Sequence, residues 1–180
     1  MDIIANAWKV PMKKGTKDVF LCKWKNERNW HKTINLNKTN GAIITGSANN
    51  IIVLDVDIKK RNDGDKIEGI QEFAKYTNEY GQINTFTVRS PSGGYHYYFK
   101  YDNTSERAKY LIENYLKTSV GYRNAGLDVR SDGGVIIMPG SSTSSGSYNV
   151  INDSQLLEMP VSLIEWLWMH QPPLISIHRM

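Results

Sequence analysis

Cysteine is almost absent from this chain: Cys22 stands alone among 180 residues. No internal disulfide can form, and a thiolate-rich zinc site is excluded. A reducing, intracellular setting (cytoplasm or nucleus) is expected, not a secreted one. Long apolar runs are also missing. Nothing reaches the roughly 18 residues of a membrane span, and no secretory h-region is present, so neither a membrane partner nor export is expected. No G-x-x-x-x-G-K-[ST] phosphate loop occurs, which excludes a helicase ATPase of that kind. Internal repeats are lacking, and the one low-complexity stretch is the Ser/Gly-rich run from Gly140 to Ser147.

What is present suits a globular domain. Hydrophobic residues make up 40% and charged residues 22%, enough for one substantial core. The whole chain, 1–180, is expected to be a single domain with a basic segment at 1–40, a motif core at 41–150 and a helical segment at 151–180. The net charge of +4 suits a polyanionic partner. Basic residues cluster early, at Lys9, Lys13, Lys14, Lys17, Lys23, Lys25, Arg28 and Lys32, with Trp8, Trp24, Trp30 and His31 among them. Cations that meet phosphates beside rings that stack on bases suit single-stranded nucleic acid. A solvated basic face over core aromatics gives the same pattern.

Strand-like runs are Ala42–Thr45, Ile51–Asp57, Thr85–Arg89, Tyr95–Lys100, Leu127–Arg130, Val135–Met138 and Tyr148–Ile151. A helix is expected from a capping pair at Asp65 and Glu68, with Ile67, Ile70, Phe73 and Ala74 on its buried face and Gly81 as its stop. Asn103 and Glu106 open a second helix carrying Ala108, Leu111 and Tyr115, and a third starts near Pro160. Strands outnumber helices and tight turns join several of them. The pattern therefore predicts an α+β fold with a mainly antiparallel sheet flanked by helices.

Chemistry concentrates in three places. In Ile51-Ile52-Val53-Leu54-Asp55-Val56-Asp57, a buried strand ends in two carboxylates. Side chains two apart share a strand face, and their α-carbons lie about 6–7 Å apart, so both reach a common pair of metal ions. Bare carboxylates this close repel, and a divalent cation removes that penalty. Oxygen ligands suit Mg2+ or Mn2+. The alternative is a strand end with two solvated acids.

The second place runs from Val88 to Phe99. A strand enters the turn Ser90-Pro91-Ser92-Gly93-Gly94 and leaves as Tyr95-His96-Tyr97-Tyr98-Phe99. Two glycines let backbone approach a ligand, and their N–H groups can face an anion. His96 and Lys100 share a face from which they could meet phosphate. A surface histidine on an ordinary hairpin is the alternative. The third place is Leu127-Asp128-Val129-Arg130, followed by Ser131-Asp132-Gly133-Gly134. Asp128 and Arg130 share one face, which suits a metal beside a phosphate or a simple ion pair. Asp132, in a tight turn, is read as structural.

In this order the motifs resemble the bifunctional primase-polymerase domain of the archaeo-eukaryotic primase superfamily. That family pairs a strand ending in two acids with a Ser-Gly-Gly-x-His hairpin. A hydrophobic-Asp-hydrophobic-Arg strand then leads through Gly-Gly to a Pro-x-Ser loop. Here these are Asp55/Asp57, Ser92-Gly93-Gly94-Tyr95-His96, Asp128/Arg130 and Pro139-Gly140-Ser141. Asn40-Gly41-Ala42 and Gly46 are similar to the family's lead-in, and the match covers roughly residues 40–150.

The resemblance implies an RRM-like catalytic core and template-directed nucleotidyl transfer in DNA replication, by primer synthesis or DNA polymerisation. Asp55, Asp57 and Asp128 would hold two Mg2+ or Mn2+ ions, with His96 completing the catalytic set. The incoming NTP or dNTP would meet Arg89, Ser92, Gly93, Gly94, His96, Arg130 and Ser141. Implied partners are a single-stranded DNA template and a replicative helicase domain on the same or another chain. Relatives occur in plasmids, phages and large DNA viruses. Some carry a zinc-binding stem between the second and third motifs; residues 101–125 contain no cysteine, so none is expected here. Two rival readings remain: a metal-dependent nuclease using the same acids, and a non-catalytic module binding single strands or nucleotides.

Overall fold

A computed structural model describes residues 3–60, 66–122 and 126–169. It begins with α1 (Ile3–Asn6), β1 (Lys9–Met12) and a 3-10 turn (Glu27–Asn29), then β2 (Asn40–Ile44), β3 (Ile51–Val56), β4 (Ile58–Lys60) and β5 (Lys66–Glu68). Next come α2 (Gly69–Tyr80), β6 (Thr87–Arg89), β7 (Tyr95–Lys100), α3 (Glu106–Asn114), β8 (Ser119–Tyr122), β9 (Leu127–Arg130) and β10 (Val135–Ile137). The chain closes with β11 (Ser142–Thr143), β12 (Gly146–Ser147), β13 (Asn149–Asn152), β14 (Leu157–Glu158) and α4 (Val161–Trp168). The fold is α+β and mainly antiparallel: a large sheet runs β13-β6-β7-β3-β9-β8, and a small one runs β1-β2-β10.

β3 organises the molecule. Its run of β-branched and leucine side chains is buried on both faces, as expected for a central strand. Ile52, Leu54 and Val56 pack with α2, α3 and α4 through Phe73, Leu111, Ile112 and Leu163. Ile51 and Val53 face the small sheet through Ile43 and Ile136. Each fully buried Ile or Leu contributes about 1.5–3 kcal/mol. A one-residue slip would turn all of them over and drive Asp55 into the helix-side core, so the apolar run fixes the acid's direction. Asp55 follows Ile51 and Val53 into the space between the sheets.

The helices depart from expectation at their starts. α2 begins at Gly69, and Glu68 caps it without a side-chain bond. Ile67 belongs to β5, pairing with Lys59 across a hairpin, so local strand pairing takes the residues that helical spacing had claimed. Asp65 lies outside the described residues. Gly81 ends the helix as expected, at φ +94°. On α3 the cap is Ser105, which accepts from the Ala108 amide at 3.3 Å. Asn103 instead donates to the Met159 carbonyl at 2.9 Å and accepts from the Ser105 amide at 3.0 Å, tying α3 to the approach to α4. Ile112 takes the buried position expected for Tyr115, which is exposed. α4 starts after Pro160 and buries Leu163, Ile164, Trp166 and Leu167.

The basic segment contains β1, which alternation alone did not reveal. Val10 and Met12 are buried, and Trp8, Trp24 and Trp30 pack on that outer face of the small sheet. Lys9, the first of the early basic cluster, is 3% exposed; its ammonium donates to the carbonyls of Ala7 at 2.9 Å and Lys32 at 2.6 Å. Desolvation is tolerated there because backbone oxygens replace water. Among the described residues no helix is long and apolar enough to cross a membrane.

Candidate active site

β3 lies between β7 and β9, and its register sets Asp55 opposite His96 on one side and opposite Asp128 on the other. Like charges directly opposite on neighbouring strands are destabilising. Here the pair sits at the centre of the large sheet, with Asp128 1% and Asp55 7% exposed. Asp57, one step beyond the strand, is half-buried. One oxygen from each of the three carboxylates lies within 4.8 Å of the others.

Arg130 reaches across this row. Its Nη2 is 3.3 Å from Asp128 Oδ2 and 3.9 Å from Asp55 Oδ2. One guanidinium beside three carboxylates leaves these four side chains negative in sum. A set of hard oxygen donors, preassembled at low exposure, fits a hard divalent cation.

His96 is 4% exposed, with Nε2 3.5 Å from Asp55 Oδ1. Burial, and then the nearby Arg130 charge, push its pKa down to about 3. The imidazole is therefore neutral, and its approach to Asp55 is a polar contact, not an ion pair. Its Nδ1 and the Nε of Arg130 are buried without a hydrogen-bond partner among the described residues. Unsatisfied buried nitrogens are costly and call for a specific reason. The Arg130 nitrogen is an N–H donor, whereas the neutral imidazole carries a single N–H, so its Nδ1 donates or accepts according to tautomer.

Backbone packing sets the position of the acids. A Cβ on Gly94 would lie 2.4 Å from the Val56 carbonyl and 3.3 Å from Asp57 Cα, so the Ser-Gly-Gly turn abuts the acidic end of β3 only because that position is glycine. The Asp57 amide donates to the Gly126 carbonyl at 2.8 Å, and its own carbonyl accepts from the Gly69 amide at 2.8 Å.

The structure brings Asp55, Asp57, Asp128, His96 and Arg130 together. Other candidates lie elsewhere. Arg89 pairs with Tyr95 while its neighbour Val88 pairs with His96, so Arg89 belongs to the helix-bearing face of the sheet. Ser141 is fully buried, accepting from the Gly41 amide at 3.1 Å and donating to the Gly41 carbonyl at 3.2 Å. The Gly93 amide points inward to the Ser90 carbonyl at 3.0 Å, closing the turn. Ser92 is exposed beside it, 2.9 Å from the Ser90 hydroxyl. Lys100 shares His96's face but sits at the far end of β7, opposite Ile51.

Asp132 is structural: it accepts from Ser47 and, at 2.6 Å, from the Tyr101 hydroxyl. Burial works to raise its pKa, but these hydrogen bonds outweigh it and hold the carboxyl below its usual range. Two neighbours of the cluster escaped sequence reasoning. Tyr148 stacks obliquely on His96 with centroids 5.5 Å apart, and burial together with the charges of Asp55 and Asp57 pushes its hydroxyl up to about 12. Gly69 is the other, and its only sequence signal is a glycine at a helix start.

A family model described as bifunctional DNA primase/polymerase, N-terminal (Prim-Pol), matches residues 2–162. No curated protein matches the chain.

Proposed function

Because the chain belongs to the bifunctional DNA primase/polymerase family, we propose that it joins nucleotides on a single-stranded DNA template at the Asp55–Asp57–Asp128 cluster. The observation that carries this reading is the cross-strand opposition of two buried acids beside unpartnered nitrogens of His96 and Arg130. In the reaction a primer 3′-oxygen attacks the α-phosphorus of a nucleoside triphosphate, its proton leaves to solvent or base, and the bond to pyrophosphate breaks. Held by the three carboxylates, a pair of Mg2+ or Mn2+ ions would favour deprotonation of that hydroxyl and neutralise charge on the triphosphate.

The chain's own residues position and neutralise. Arg130 offers a cation, and neutral His96 can donate one N–H without bringing a charge that must be desolvated. Ser92 presents its hydroxyl at the rim. Tyr148 packs obliquely against the imidazole and limits its rotation. No protein nucleophile is required; orientation and charge stabilisation supply the rate.

The deciding experiment supplies single-stranded template, labelled nucleotides and Mg2+ or Mn2+, with and without primer. It measures pyrophosphate release alongside strand cleavage. Metal-dependent incorporation with pyrophosphate release is expected. Cleavage of the strand without incorporation would establish the nuclease, and binding with neither product the non-catalytic module.

His96 gives a separate test. His96→Ala should weaken nucleotide binding at least tenfold, about 1.4 kcal/mol, as expected for loss of one hydrogen bond to a charged group. Oligonucleotide binding should be unchanged. Parallel titrations with a nucleotide and an oligonucleotide check this, and equal losses for both ligands would remove the triphosphate role.

A further inference from the structure

The excess positive charge of this protein sits in one segment. Residues 9–38 hold nine Lys and Arg against two acids, whereas the whole chain nets only +4, so the remainder is acidic. Its tryptophans are packed on the small sheet, which removes most of their stacking surface from solution. Lys9 is buried, Lys14 donates to the Leu36 carbonyl at 2.6 Å, and Lys32 lies 3.8 Å over the Trp8 ring. Lys13 and Lys17 are exposed and flank Gly15 at the tip of the turn that follows β1.

That tip is fastened to the active-site wall. Asn40, fully buried, donates to the carbonyls of Thr16 and Ser142, each at 2.7 Å, and accepts from the Ser142 amide at 3.0 Å. Gly15 pairs with Thr143. The β11–β12 hairpin so anchored reaches the active site at two points. A Cβ on Gly146 would touch Pro91 of the Ser-Gly-Gly turn at 3.7 Å, and Tyr148, closing the hairpin, stacks on His96. Between Gly140 and Tyr148 there is no charged side chain, and apart from the buried Ser141 four serines and a threonine supply hydroxyls. The exposed, hydroxyl-rich surface of the hairpin therefore lies between the wall of the buried His96 and a pair of exposed lysines.

We propose that this surface is the track for the template strand, with Lys13 and Lys17 meeting its phosphates and the hairpin hydroxyls its backbone. The inference rests on the polymerase reading of the acid cluster, since that is what gives the strand a destination. Lysines and hydroxyls contact phosphate and sugar without reading bases, so binding is independent of sequence. The tryptophans do not serve as stacking platforms.

The test is a titration of labelled oligodeoxythymidylate against the full chain over a salt series. Lys13→Gln/Lys17→Gln is compared with wild type and with Arg107→Gln/Lys109→Gln on α3. Each phosphate contact contributes about 0.7 to the log–log salt slope on single strands. The Lys13/Lys17 variant should therefore bind more weakly, with a slope shallower by roughly 1.4. Nucleotide affinity and the α3 variant's slope should stay at wild-type values. An unchanged slope for Lys13/Lys17, or a loss at α3 instead, overturns the track while leaving the polymerase reading intact. A protein that binds through these lysines yet adds no nucleotide supports the track and defeats the polymerase reading.

Discussion

Asp57→Ala and Asp128→Asn should each abolish metal-dependent nucleotide addition and, in the same samples, the thermal stabilisation produced by Mg2+ or Mn2+. The acids are close enough that one oxygen of each falls within 4.8 Å of the others, so none is a spectator to a cation bound among them. Charge stabilisation by a bound metal is worth several kcal/mol at a transition state, and each 1.36 kcal/mol is tenfold, so the rate should fall by about 10³ or more. A ligand present at a hundredfold excess over its Kd stabilises a folded protein by about 2.7 kcal/mol. For a domain of this size that is roughly 5–10 °C in Tm. The wild type should show such a shift on metal addition and both variants should show little of it.

The two substitutions guard each other. Asp57 is half-buried and outside β3, so its removal disturbs packing least. Asn at 128 keeps the shape of a nearly fully buried side chain while removing its charge. A folded Asp57→Ala protein that extends primers at wild-type rate, or that keeps the full metal-induced shift, would show that the three acids do not hold the metal together.

The acidic row was legible because it depends on the simplest periodicity in proteins. A buried run ending in Asp-x-Asp fixes which side of the strand both acids take, and Asp128 and Arg130 obey the same rule on β9. The register that brings β9 and β7 to either side of β3 could not be read from any one segment. Neither could the contacts at Tyr148 or Gly69, which depend on residues far away in sequence. Arg89 shows the opposite failure: it lies close in sequence to the Ser-Gly-Gly turn, but it is one residue out of phase with the row that pairs with His96. Ser141 lies in a loop of the expected composition, yet the small sheet needs its hydroxyl at the Gly41 backbone. In the basic segment, charge was legible, but the role of the tryptophans was not, because packing and stacking surfaces have the same composition.

Gly69→Ala should cost both stability and catalysis although it removes no functional group. A Cβ at this position would lie 2.5 Å from the Gly126 carbonyl, 2.7 Å from the Asp57 carbonyl and 3.1 Å from the Asp57 amide. All three obstacles are backbone, so no side-chain rotation relieves them. Overpacking of this kind costs about 1–3 kcal/mol. That corresponds to a fall in Tm of roughly 2–12 °C for a domain this size. The strain falls on Asp57, because the Gly69 amide holds its carbonyl and the Gly126 carbonyl holds its amide, both at 2.8 Å. Relief requires Asp57 to move away from the start of α2, and a displacement near 1 Å in a positioned site can cost about 10²-fold in rate. Extension assays well below the variant's Tm separate the two effects. A variant with lowered Tm but wild-type extension would show that Asp57 does not depend on this backbone clamp. Loss of both, with nucleotide affinity weakened less than the rate, is the expected result.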